Sequence, residues 1–135
     1  MPHLTVEYSA NLAGTLDAPA LMEKLSAAAV ATGVFNLAGI RVRCFRADDY
    51  RIADGNAENA YLHLDVRIGH GRDVETRKKA GQAIFAALCD HMAPILAARP
   101  LALSLDLGEL SPDVSFKAGN IRDYLKARTK EPAGR

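Results

Sequence analysis

Residues 60–68 read Ala60-Tyr61-Leu62-His63-Leu64-Asp65-Val66-Arg67-Ile68, and their strict alternation decides the fold. Leu62, Leu64, Val66 and Ile68 face one way, and Tyr61, His63, Asp65 and Arg67 face the other, which is the pattern of a strand with one buried side. A shift of 58 residues lays Leu4, Val6 and Tyr8 onto Leu62, Leu64 and Val66, so the same strand occurs near the start of the chain. Under that shift Pro2 falls on Ala60.

Each copy is followed by a helix and a second strand. After the first, Asp17 is placed to cap a helix with Pro19 in its opening turn. Leu21, Met22, Leu25, Ala28 and Ala29 recur at helical spacing, and Gly33 is placed to stop it. Ile40, Val42 and Cys44 then alternate against Arg41, Arg43 and Phe45, with Tyr50 to Ala53 available to prolong the strand. After the second copy, Gly69 to Asp73 turn into a long helix carrying Val74, Ile84, Phe85, Leu88, Met92, Ile95 and Leu96. Pro94 is expected to bend or shorten it. Leu101, Leu103, Leu105 and Leu107 mark a fourth strand, and Ile121, Tyr124 and Leu125 a short closing helix. Crossovers of this kind make the strands of each unit parallel. The expected fold is α/β (α+β by some schemes): two tandem β-α-β units forming a four-stranded mixed sheet, with two helices on one face.

The other sheet face would carry Thr5, Glu7, Arg41, Arg43, His63, Asp65, Arg67, Ser104 and Asp106. It holds both signs of charge, and covering it with copies of the same chain would pair them. Self-association is the reading this supports, since mostly parallel sheets are usually covered on both faces.

With 135 residues the chain is expected to form a single domain over 1–127, followed by a frayed Lys/Arg/Pro/Gly-rich tail over 128–135. A net charge of +1 gives no footprint for nucleic acid. Cys44 and Cys89 lack metal-type spacing and read as reduced, buried thiols. The histidines do not combine with Asp65 or Asp106 at metal-ligand spacing, so no metal is expected. No signal segment and no run of 18 apolar residues is visible, so no membrane partner is expected and the cytoplasm is the default location.

The start of the chain carries the candidate chemistry. Initiator methionine is normally trimmed before proline, which would make Pro2 the terminus and its nitrogen a secondary amine. The strand beginning at His3 would hold that amine in place. Desolvation would lower its pKa below the roughly 7.7–8.0 of a free terminus, leaving a neutral base. Most Met-Pro starts mean nothing of the kind, and only the rest of the chain raises this one. Arg41 and Arg43 share a face two residues apart, and for either a solvated or interface ion pair is the ordinary role. Arg72, after Gly71 at a helix entrance, would ordinarily be exposed, as would His70. His63 reads as an interface residue. Gly69-His70-Gly71 lacks the pattern of a phosphate loop.

Taken in order, Pro2-His3-Leu4-Thr5-Val6-Glu7-Tyr8-Ser9, Ala31-Thr32-Gly33-Val34-Phe35, Leu37-Ala38-Gly39-Ile40-Arg41, Ala53-Asp54-Gly55, Ile68-Gly69-His70-Gly71-Arg72, Leu101-Ala102-Leu103-Ser104 and Phe116-Lys117 resemble the tautomerase superfamily. The match is closest to its 5-carboxymethyl-2-hydroxymuconate delta-isomerase family, and it runs from Pro2 to about Leu125. The resemblance implies a homotrimer around a central barrel and a cofactor-free isomerase of homoprotocatechuate breakdown. It also implies an unsaturated polycarboxylate as substrate. Pro2 would be the acid–base residue, and Arg41 and Arg72 would bind carboxylates. Two other readings share the fold: a non-catalytic trimeric binding protein, and another proline-dependent reaction on an unsaturated acid.

Overall fold

The computed structural model describes residues 1–129. The chain runs β1 (His3–Ser9), α1 (Ala18–Ala31), β2 (Arg41–Ala47), β3 (Ala60–Ile68), α2 (Val74–Ala98), β4 (Leu101–Glu109) and α3 (Ile121–Thr129). The strands form one sheet in the order β2-β1-β3-β4. β1 pairs with β2 and β3 with β4 in parallel, while β1 and β3 meet antiparallel at the centre. The doubled unit is therefore as expected, with the two copies joined head to tail across the middle of the sheet.

One sheet face forms the core. Leu4, Val6, Leu62, Leu64, Val66 and Ile68 are fully buried there, alternating with partly exposed residues along each strand. α1 covers them with Leu21, Leu25 and Ala29, and α2 with Ala80, Gly81, Ile84, Leu88 and Met92. A Cβ on Gly81 would touch Leu107 at 3.6 Å and Leu105 at 3.9 Å, so α2 lies close over β4. Burying one such leucine stabilises the fold by about 1.5–3 kcal/mol. Asp17 accepts from the Ala20 N–H at 3.1 Å and caps α1, and Gly33, at φ +74°, takes the left-handed turn that ends it.

The structure corrects several details. α2 is not shortened by Pro94 but runs on to Ala98. One missing N–H is tolerated because Met92 and Ile95 anchor that end on the core. Val74 and Leu96 were expected in the apolar stripe, yet they are 65% and 50% exposed. The stripe instead turns on the small residues Ala80 and Gly81, which admit close packing. β2 ends at Ala47, and Tyr50–Ala53 do not extend it. Cys44 and Cys89 are free but only half-buried. α3 reaches Thr129, two residues into the expected tail, and the remainder, 130–135, lies outside the described residues. α2 is long and apolar enough to cross a membrane by length and composition, but here its apolar stripe packs on the sheet.

The second sheet face is polar and open. His63 Nδ1 lies 2.7 Å from Ser104 Oγ, Tyr61 bonds Glu7, and Asp65 stands beside Asp106 in the β3–β4 register. Desolvation, followed by the Glu7 contact, pushes the Tyr61 hydroxyl pKa up to about 12. Phe45, 56% exposed, lies on the same face.

Candidate active site

Strand direction assembles the site. Because β1 and β3 run antiparallel, the start of β1 lies at the same sheet edge as the end of β3: His3 pairs with Arg67. Parallel pairing puts the start of β2 there too, with His3 against Arg41, and the end of β4, with Ile68 against Glu109. The chain start, Arg41, the loop carrying Arg72 and the segment after β4 thus converge, although they lie far apart in sequence.

At this edge a cleft of about 380 Å³ opens, lined among others by Met1, Asn36, Gly39, Arg41, Lys117 and Arg122. Its lining includes three cationic side chains and no carboxylate. The Asn36 side chain accepts from the Ala38 N–H at 2.9 Å and shapes a short 3-10 turn, Leu37–Gly39, against which the chain start packs. A Cβ on Gly39 would lie 3.2 Å from Met1 Cα, so only glycine lets the terminus approach this closely without displacing a neighbour. Pro2 itself is buried, and its carbonyl accepts from the Arg41 N–H at 3.1 Å. With Met1 present the Pro2 nitrogen is an amide.

Arg41 Nη1 donates to the Gly39 carbonyl at 2.9 Å, which orients its guanidinium along the cleft wall. Arg72 approaches from the other side of the sheet edge. Its Nη2 donates to the Val34 carbonyl at 3.0 Å, its Nη1 to Gly69 at 3.4 Å, and its guanidinium lies 5.3 Å over the Phe35 ring. Gly33 turns Val34 and Phe35 into this position. The loop is held from behind, because Gly71 N–H donates to Glu109 at 3.1 Å and Arg77 donates to the Arg72 carbonyl at 3.2 Å.

These charges act on the chain start. The Met1 amine has its pKa lowered from 8.0, first by burial and then by Lys117, Arg72 and Arg41. Sequence reasoning placed Arg41 and Arg72, and both reach this edge, Arg41 in the cleft lining and Arg72 beside it. It did not give roles to Lys117, Arg122 or Asn36. Lys117 lies in the family-like pair Phe116-Lys117, but nothing in its spacing tells that the segment after β4 folds back over the chain start. Arg43, the second arginine candidate, turns onto the polar sheet face instead, with Nη1 3.3 Å from His3 Nδ1. Burial, then Arg43, Arg41, the chain terminus and Arg67, lower the His3 pKa, which favours the neutral ring that can accept from Arg43. His70 is exposed. The described residues contain no cluster of three or more metal-ligating side chains. Burial raises the Cys44 thiol pKa, the opposite of an activated nucleophile.

Comparison with known proteins identifies the family and the fold. A family model described as 5-carboxymethyl-2-hydroxymuconate isomerase matches residues 2–125. The chain is 40% identical to the 5-carboxymethyl-2-hydroxymuconate Delta-isomerase of Escherichia coli over 93% of its length and 100% of that protein's. A crystal structure of a 5-carboxymethyl-2-hydroxymuconate isomerase from Deinococcus radiodurans R1 superposes with TM-score 0.85 at 39% identity, covering 92% of this chain and 93% of that one. A fused 4-OT symmetric trimer shares the fold alone, with TM-score 0.60 at 15% identity over 86% of this chain and 93% of that one.

Proposed function

The chain belongs to the 5-carboxymethyl-2-hydroxymuconate isomerase family and is an enzyme of the isomerase class; we propose that it converts 5-carboxymethyl-2-hydroxymuconate to its conjugated 2-oxo isomer. The observation that supports this most is the cleft at the chain start, cationic on three side chains and free of carboxylates. Such a cleft selects a polyanion, and the substrate carries three carboxylates.

Removal of Met1, which lines the cleft, makes the Pro2 nitrogen a secondary amine at the chain start. Neutral, it takes the 2-hydroxyl proton of the dienol; protonated, it returns a proton to C5, and the double bonds shift into conjugation with the new ketone. One base serves both steps from one face of the substrate, so the proton balance closes without a cofactor. Arg41 and Arg72 hold carboxylates through paired, charge-assisted hydrogen bonds and stay charged throughout. A guanidinium beside the 2-oxygen stabilises the negative charge that develops there. Burial first, then Lys117, Arg72 and Arg41, lowers the pKa of the Met1 amine, and the same surroundings favour the neutral form of a Pro2 amine.

The polar sheet face supports assembly. Glu7, Arg43, His63, Asp65, Arg67 and Asp106 offer both signs of charge beside exposed Phe45, and a homotrimer closing on this face pairs them. Sedimentation at micromolar concentration is expected to give three chains. The wider reading is an enzyme of homoprotocatechuate catabolism, working in the cytoplasm.

The test is an ultraviolet assay of dienol loss with 5-carboxymethyl-2-hydroxymuconate. Met-trimmed protein, verified by intact mass, is compared with a form carrying one extra residue before Pro2. Turnover in the trimmed form alone supports both the reaction and the amine. Equal turnover in both removes Pro2 as the base. No turnover in either rejects this substrate.

A further inference from the structure

The cleft holds more positive charge than Arg41 alone supplies, and the excess comes from one place. Lys117 and Arg122 both belong to the segment after β4, Lys117 in the irregular stretch and Arg122 in the first turn of α3. This segment leaves the sheet at Leu110, whose N–H donates to the Ile68 carbonyl at 2.7 Å. α3 then rests against the Leu37–Gly39 turn. Folding back this way costs chain entropy, and few apolar contacts repay it: Ile121 and Tyr124 remain 51% and 58% exposed.

The ion pairs among the described residues join Lys24 to Asp90, Arg46 to Asp48 and Arg77 to Glu109. None of them involves Lys117 or Arg122. Both side chains are exposed, so packing does not account for their presence at the cleft. Two like charges brought to one wall repel each other unless an anion lies between them.

We propose that Lys117 and Arg122 form a separate carboxylate subsite on the C-terminal wall of the cleft, which receives the third carboxylate of a tricarboxylate substrate and so sets specificity for it over dicarboxylates. This rests on the isomerase reading for its substrate but not for its ligand class. Arg41 and Arg72 come from the sheet edge and hold the carboxylates of the dienol chain. Lys117 and Arg122 come from the segment beyond it and reach the carboxymethyl arm. An ammonium and a guanidinium together tolerate a carboxylate on a rotatable arm, where a single fork would demand one geometry.

The experiment compares 5-carboxymethyl-2-hydroxymuconate with 2-hydroxymuconate, which lacks the carboxymethyl arm, in wild type, Lys117→Met, Arg122→Gln and the double variant. Each single change is expected to lower the ratio of kcat/KM values, tricarboxylate over dicarboxylate, about tenfold through KM, the loss of one charged contact. An unchanged ratio overturns the proposal, even where both activities fall. If wild type turns over neither compound, the isomerase reading fails and calorimetry decides the subsite separately. Tricarballylate is then expected to bind wild type about tenfold more tightly than glutarate, and the double variant to lose that preference. Equal affinities in wild type overturn it. Circular dichroism confirms folding, and both positions are exposed.

Discussion

The two β-α-β units are built alike and finished differently. β1 and β3 share their alternation and bury the same kind of side chains, yet what stands at their starts is opposite in character. At the start of β1 the chain meets an open, cationic cleft. At the start of β3, Ala60 is buried and its N–H donates to the Pro100 carbonyl at 3.0 Å. Arg99 closes that edge: it donates to the Glu58 carbonyl at 2.8 Å and 3.2 Å and to the Asn11 carbonyl at 3.1 Å. Asn11 adds a bond to the Asn59 carbonyl at 2.7 Å. Register shows the same contrast. The residue paired with His3 is Arg41, and the residue paired with Tyr61 is Ala102. Arg99 commits all three of its nitrogens to backbone carbonyls, whereas among the described residues Arg41 donates to one, Gly39.

The largest expected effect is at the first edge. Pro2→Ala, or one residue added before Pro2, should lower kcat by about 10²–10⁴-fold, the range of general acid–base catalysis. At the equivalent position of the second unit, Ala60→Gly should leave kcat unchanged and destabilise the fold by about 0.5–1 kcal/mol, read by urea unfolding. A loss of kcat there would break the comparison.

Next come the arginines. Arg41→Gln or Arg72→Gln should lower kcat/KM about 100-fold, as expected for removing a charged partner of a bound carboxylate. Arg72→Lys should fare little better, because lysine cannot reproduce the fork that reaches Val34 and Gly69 while stacking on Phe35. Arg99→Ala should instead cost about 1–2 kcal/mol of stability with kcat/KM retained. If Arg99→Ala also abolished turnover, the second edge would not be merely structural.

The smallest effect is on pH. The terminal amine has a folded pKa below its ordinary 8.0. The folded state therefore binds that proton less than the unfolded chain does. Stability from this group is complete above 8.0 and is lost as pH falls through the lowered folded value. In the trimmed chain the same surroundings act one residue further in. The kcat/KM profile should rise with pH to a plateau and reach its midpoint below that of a free terminus. Lys117→Met removes the leading charge on the amine and should move the midpoint upward, whereas Arg99→Ala should leave it in place.

The strands, the doubled unit and the one-sided helix layer were legible because each rests on periodicity within about 10–25 residues. The misplaced details have a common cause. Val74 and Leu96 are apolar but sit where α2 overhangs the sheet, while Gly81 is buried because α2 must approach Leu105 and Leu107 there. Composition says what a side chain prefers; only packing says which face is covered. At the site, Arg41 and Arg72 were legible through resemblance rather than spacing. Lys117 and Arg122 lie in a segment with no periodicity, and no local rule assigns it a destination.

By itself the sequence determined the elements: alternating strands, capped helices, and a proline set where trimming would make it a terminus. Tertiary structure decided which ends of those elements meet. The antiparallel junction of β1 and β3 turns the second unit around, so that the loop after β3 and the segment after β4 arrive where β1 begins. Charges from residues 41, 72, 117 and 122 gather there because strand direction, a property of long-range pairing, is invisible to any local stretch of the chain.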